Sequence, residues 1–286
     1  MKVSDFELKV ISSLREKLGE EYEFNITEVK KVNQSYTGLV IKKKESNIAP
    51  TINLDEINES GKTNINEIVN SICEIVYNGI KDNVDLSRFT DWDEIKGDIH
   101  IKIINYERNK EILKDTPHIR FLDLAVIFYV DCKRLCGLTD GVILIKSNHL
   151  EIWNKNINDL EEAARNRSNE EYIIKNMFEI IDRVLVGLED IDDSMLVCTN
   201  KKGMYGASIL YDKQELIEVS NKLQDDFYII PSSVHEVIVI KRGRIDDTDN
   251  IKMIINEVNR SVISPIDYLS DSLYLFDREK EEVMIV

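Results

Sequence analysis

The chain has no run of 18 apolar residues. Among its 286 residues the longest uninterrupted apolar stretch is Leu124-Ala-Val-Ile-Phe-Tyr-Val130, which has the length of a strand rather than of a membrane-crossing helix. It also lacks a leader pattern: Met1-Lys2-Val3-Ser4-Asp5 runs straight into a helical pattern, so the expected compartment is the cytoplasm and no membrane association is expected. Cysteine is scarce. Cys73 and Cys198 stand alone in apolar patterns, and Cys132 and Cys136 have neither a second pair nor a nearby histidine. That usage fits small core residues and excludes a disulfide framework or a cysteine metal site. No GxxxxGK[ST], GxGxxG or GxSxG motif occurs. His235-Glu236 has no second histidine at the zinc-protease spacing, and His100, His118, His149 and His235 never pair at ligand spacing. No cofactor or metal is expected.

Basic residues are outnumbered. The chain carries 53 Asp and Glu against 37 Lys and Arg, a net charge of −16. The excess is uneven, at −7 in residues 51–100 and −7 in residues 151–200, while residues 1–50 (+1) and 101–150 (+2) are close to neutral. Phosphate backbones are held by clustered Lys and Arg, so direct binding to nucleic acid or to an anionic membrane is not expected. An acidic face that meets a basic protein partner is.

Helix starts are readable from capping-box patterns, a polar cap followed three residues later by Glu. Ser4-x-x-Glu7 predicts a helix with Phe6, Val10, Leu14 and Leu18 inward, closed by Gly19. Asn64-x-x-Glu67 predicts another with Ile65, Ile68, Val69, Ile72 and Val76 inward. Ser168-x-x-Glu171 predicts a third through Ile173, Met177, Ile180, Ile181 and Val184, and Asp212-x-x-Glu215 a fourth with Leu216, Val219 and Leu223. Ile251, Ile254, Ile255 and Val258 repeat the same spacing, and all these stripes read as core contacts.

Between them lie strand signals. Phe24–Val32 and Thr37–Lys42 read as a hairpin, and Ile99, Ile101 and Ile103 alternate with His100 and Lys102 as a half-buried strand. Leu124–Val130, Val142–Ile145 (after the turn pair Asp140-Gly141), Met195–Thr199, Ala207–Tyr211, Phe227–Ile230, Val237–Ile240, Leu273–Phe276 and Val283–Val286 complete the set. Strands that arrive in hairpins with helices between them predict an α+β fold: mixed, largely antiparallel sheets with flanking helices. Two subdomains are expected, residues 1–90 (helix, hairpin, helix) and 91–286, with the polar stretch Asp82–Asp98 as the boundary and residues 187–194 as an acidic loop.

The candidates for chemistry are few. Ser232, Ser233, His235 and Glu236 lie between two apolar strands. In extended chain Ser233 and His235 share a face with Cα atoms ~7 Å apart. A Ser/His hydrolase there would need Asp225, Asp226 or another acid to orient the imidazole. The alternative is a corner at Pro231-Ser232-Ser233 whose hydroxyls bond local backbone. His118 and His149 fall at strand ends and either meet on one sheet edge or serve as caps. Asp131-x-Lys133 with Asp115 upstream loosely echoes a metal-dependent nuclease, against the acidic balance of the chain.

As a set, Ile48–Leu54, Ile104–Asn109, Pro117–Ala125, Asn148–Trp153, Thr199-Asn200, Gly206-Ala207, Pro231–Glu236, Glu257–Arg260, Tyr268–Asp271 and Phe276–Arg278 resemble the uncharacterised domain-of-unknown-function family 5688 of gut Firmicutes over nearly the whole chain. Residues 104–240 bear a fainter likeness to another uncharacterised bacillar family. Members usually carry a proline-bearing stretch where Arg167-Ser-Asn-Glu170 stands here, so that loop differs. The resemblance implies a cytoplasmic bacterial protein and a link to mobile elements. It brings no activity, ligand or catalytic residue. The leading expectation is therefore a non-enzymatic interaction protein that presents acidic surface to a protein partner, in its sharper form a nucleic-acid-mimicking inhibitor of a defence protein. The Ser/His hydrolase and the nuclease stand as alternatives.

Overall fold

The computed structural model describes residues 3–61, 64–79, 86–133, 141–166, 172–176 and 195–286. The architecture is α+β, and every strand pairing among these residues is antiparallel. The chain divides into two compact units, residues 1–87 and 88–286.

In the first unit, helix α1 (Asp5–Leu18) starts at Ser4, whose hydroxyl accepts from the Glu7 N–H while the Glu7 carboxylate accepts from the Ser4 N–H. It ends at Gly19, which takes a left-handed φ of 80°. Strands β1 (Tyr22–Lys31) and β2 (Gln34–Lys43) form a hairpin in which Lys31 pairs with Gln34, so the turn is Val32-Asn33 with Asn33 at φ 63°. β3 (Thr51–Asn53) adds to β2, and helices α2 (Leu54–Glu59) and α3 (Ile65–Gly79) follow. Val10, Leu14 and Leu18 of α1 meet Ile68, Val69, Ile72 and Val76 of α3 and Leu39 and Ile41 of β2. Burying each such side chain fully contributes ~1.5–3 kcal/mol before conformational entropy is charged against it.

The second unit holds two sheets. The first runs β4 (Ile99–Asn105), β6 (Leu124–Asp131), β5 (His118–Phe121), with β7 (Val142–Leu144) also paired to β6. The second has six strands: β13 (Glu282–Ile285), β12 (Tyr274–Asp277), β10 (Phe227–Ile230), β11 (Val237–Lys241), β9 (Met195–Asn200) and β8 (Tyr172–Asn176). Helices α4 (Trp92–Ile95), α5 (Lys110–Leu113), α6 (Ser147–Trp153), α7 (Ile157–Arg165), α8 (Lys213–Leu223) and α9 (Thr248–Ser261) flank them. Ile99, Ile103, Val126, Phe128 and Val130 of the first sheet share one core with Cys198, Phe227, Ile229, Val237, Val239, Tyr274 and Phe276 of the second. The Asp123 carboxylate fastens the end of the first sheet to the second by accepting from Ser270 Oγ at 2.6 Å and Tyr274 OH at 2.7 Å.

Four expectations need correction. Tyr172–Asn176 is a strand paired with β9, not the start of a helix, because Ile173 and Ile174 complete the sheet there; the rest of that expected helix and the acidic loop 187–194 lie outside the described residues. Cys136 and Asp140 lie outside them as well. Gly206–Tyr211 is a 3-10 helix rather than a strand. The Asn200 side chain closes the preceding turn by accepting from the Met204 N–H and donating to the Met204 carbonyl, and Tyr205 turns left-handed at φ 62°. A short apolar run alone does not distinguish the two states. β4 is not half-buried, since His100 is only 2% exposed. On α9 the apolar stripe is not all core: Ile255 is buried, but Ile254 is 51% and Val258 37% exposed.

Candidate functional site

Pro231–Glu236 is the connection of the β10–β11 hairpin, in which Ile230 pairs with Ile238. The strands on either side bury Ile229, Val237 and Val239 completely. Within the corner the Ser233 N–H donates to the Glu236 carbonyl (3.2 Å), and the Ser233 hydroxyl accepts from the backbone N–H of His235 (3.0 Å). Ser232 Oγ donates to Glu236 Oε1 at 3.4 Å. Ser233 and His235 therefore do come together, but through the histidine backbone.

The imidazole is occupied on both nitrogens. The backbone N–H of Tyr205 donates to Nδ1 at 3.2 Å, which puts the ring proton on Nε2, and Nε2 donates to Asp267 Oδ1 at 3.1 Å. Neither nitrogen is placed to take a proton from Ser232 or Ser233. The acid at His235 is Asp267, 32 positions on, and no sequence signal pointed to it. Asp225 and Asp226 serve the other end of β10. Asp226 accepts from Arg242 Nη1 at 2.7 Å and from the Arg278 N–H at 3.0 Å, and Asp225 accepts from the Gly243 N–H at 3.2 Å.

The corner completes a polar and aromatic cluster on the face of the first sheet opposite Ile103, Val126 and Phe128. The Tyr205 ring stacks on His235 (centroids 5.6 Å, 14°) and meets Tyr129 edge-on at 5.2 Å. Tyr129 in turn stacks on His100 at 4.9 Å. Lys102 places Nζ 3.9 Å from the Tyr205 centroid. Register puts these groups on one face, because His100 pairs with Tyr129, and Lys102 and His118 both pair with Ile127. Burial pushes the Lys102 ammonium down to about 8, against the opposing pull of the Asp267 carboxylate. Burial, with Asp267 nearby, pushes the Tyr205 phenol up. Gly206 is required beside this cluster: a Cβ there would stand 2.6 Å from Asn200 N, His235 O and Thr199 Oγ1.

The remaining candidates are held separately. His118 Nδ1 lies 2.9 Å from the Thr116 carbonyl, with the ring beside Tyr106. His149 Nδ1 accepts from the Lys146 N–H at 3.1 Å and so caps α6. Its ring lies edge-on to Phe89 at 5.0 Å, and burial, then the Lys146 charge, hold it below the ordinary histidine value. Asp131 accepts from the Lys133 N–H and from Lys202 Nζ, whereas Asp115 pairs with Lys146 at 2.8 Å. Each acid of the nuclease alternative thus has its own lysine. Among the described residues no group of three or more His, Cys, Asp or Glu stands close enough to hold a metal ion.

The first unit offers a different feature. Glu56 and Glu59 of α2 and Glu67 and Glu74 of α3 face solvent, and none forms a salt bridge among the described residues. Glu59 closes α2 at the helix end where a carboxylate is disfavoured by the backbone dipole. On the same outer side of α3, Ile75 (51%) and Tyr77 (56%) are exposed.

The family described as "Family of unknown function (DUF5688)" matches residues 3–278. The chain belongs to this family. No curated protein and no solved structure matches the DUF5688 chain. No helix among its described residues is long and apolar enough to cross a membrane. Membership covers both units, the corner at His235 and the acidic helices alike, and carries no activity to either.

Proposed function

We propose that this DUF5688 protein is a non-enzymatic, cytoplasmic interaction protein whose first unit presents the acidic outer side of α2 and α3 to a protein partner with a basic surface. The observation that carries this reading is the set Glu56, Glu59, Glu67 and Glu74, exposed and without a cationic partner among the described residues. Surface carboxylates that serve only solubility are usually interspersed with cations, and one of these lies where the helix dipole opposes it. Ile75 and Tyr77 supply the apolar and aromatic anchors that a charged rim alone lacks. In its sharper form the partner is a nucleic-acid-binding defence protein, with the carboxylates standing where phosphates would. A hydrolase on Ser232 or Ser233 with His235 draws no support from this geometry, because both imidazole nitrogens are engaged elsewhere.

The test is retention of partners on immobilised full-length protein, with salt graded from about 50 to about 300 mM, across which the Debye length shortens markedly. Retained proteins should be basic, should elute with salt, and should be lost from the variant E56K/E59K/E67K/E74K. Retention that ignores both salt and charge reversal overturns the reading.

A further inference from the structure

Lys102 is not arranged as a structural lysine usually is: its ammonium is neither fully in water nor bound to a carboxylate. Such a residue lays its stem on apolar surface and extends its ammonium into water, or else it pairs the charge with a carboxylate. Here the side chain is largely covered and Nζ is held 3.9 Å from the Tyr205 ring centre. Nζ forms no hydrogen bond or ion pair among the described residues. No buried side-chain nitrogen among them is left without a partner, so this amine touches solvent. Tyr129, Tyr205 and His235 form an aromatic wall beside it. Of the titratable groups that face this region, His100 stacks on Tyr129, His118 stands across Ile127 in the same row, and Asp267 is bound to His235.

We propose that Lys102 is a nucleophilic amine that captures uncharged aldehydes or ketones as an imine at the Tyr205–His235–Asp267 cluster. The Nζ lone pair forms a bond to the carbonyl carbon while the C=O π pair moves to oxygen. Two N–H protons and that oxygen leave as one water, and the C=N bond remains; nothing is oxidised or reduced. Desolvation against Tyr205 supplies the neutral amine the step needs, with the Lys102 ammonium down to about 8. The nearby Asp267 carboxylate disfavours a carboxylated carbonyl compound by charge repulsion. The rings favour a flat, apolar one. This site is independent of the acidic helices.

The experiment treats full-length protein with limiting benzaldehyde and cyanoborohydride, which reduces the imine, and maps the label by peptide mass spectrometry over a pH series. Lys102 should be labelled at pH 7 on the order of 100-fold faster than lysines fully in solvent, from the difference in neutral amine alone. Its rate should level off above pH about 8, and glyoxylate should lose this advantage. Lys102→Arg should remove only that label and leave thermal unfolding unchanged. Should that variant fail to fold, Asp267→Asn takes its place, and labelling of Lys102 at pH 7 should rise. Lys102 labelled no faster than the exposed lysines, or a rate still climbing at pH 10, overturns the proposal.

Discussion

The backbone N–H of Tyr205 and Nδ1 of His235 are joined by a 3.2 Å hydrogen bond, and this one contact decides the tautomer of the histidine. With Nδ1 accepting, Nε2 carries the proton and donates a hydrogen bond to Asp267. A residue that reads in sequence as a general base is thereby a two-ended strut between the 205 turn and the 265–267 turn.

Replacing His235 by Ala should cost about 1–3 kcal/mol, because it strands the Tyr205 N–H and the Asp267 carboxylate together. Chemical denaturation would show a lower midpoint with an unchanged slope. Any loss of partner retention should follow the loss of folded protein. Unfolding that stays at the wild-type value while retention disappears would return this segment to the status of an active site.

Gly206→Ala should destabilise as well. The new methyl meets Asn200 N, His235 O and Thr199 Oγ1 at 2.6 Å each, and two of those atoms belong to backbone that cannot rotate away. A cost of about 1–3 kcal/mol or more is expected from overpacking, read as a fall in Tm. A Tm within a degree or so of wild type would mean that the 200–206 turn moves freely, contrary to the packing described.

Lys102 should make stability depend on alkaline pH. Its folded value, down to about 8, lies below the ordinary 10.5, so between those limits the unfolded chain binds more protons than the folded one. Stability should therefore rise with pH from about 8 to about 10.5, with the full penalty present below that window and none above it. The buried phenols, Tyr205 among them, act in the opposite direction at high pH, so the readout is the difference between wild type and Lys102→Met. That variant should gain a few kcal/mol near pH 7, on the order of 3 before solvent screening is allowed for, and the gain should vanish by pH 10.5. A pH-independent difference would mean that Lys102 is charged at no cost.

Ile75→Ala and Tyr77→Ala should leave unfolding within ~0.5 kcal/mol, as surface changes do, and yet weaken retention of a basic partner at least tenfold. Isothermal titration with the captured partner separates the two effects. Unaltered affinity in both variants would remove α3 from the interface.

Local chemistry, which depends only on neighbours in the chain, was legible without coordinates. Ser4 with Glu7, Asn64 with Glu67 and Asp212 with its N–H donors at Gln214 and Glu215 start helices because a short polar side chain can satisfy free N–H groups wherever it occurs. The hairpins at Asn33 and at Pro231–Glu236, the seven-residue apolar strand and the charge imbalance follow from period, turn residues and composition in the same way. Tertiary structure alone decided the rest. The apolar 206–211 segment became a 3-10 helix because the Asn200 turn delivers it against the core, and Tyr172–Asn176 became a strand because β9 had an edge to pair. The partners of His235 come from residues 205 and 267, and the ring that Lys102 meets and the charge that acts on it come from 205 and 267 as well; relations so distant in sequence leave no periodic trace. Which side chains lose water, and so which amine loses its charge, is set by packing between segments, and packing is a property of the folded chain.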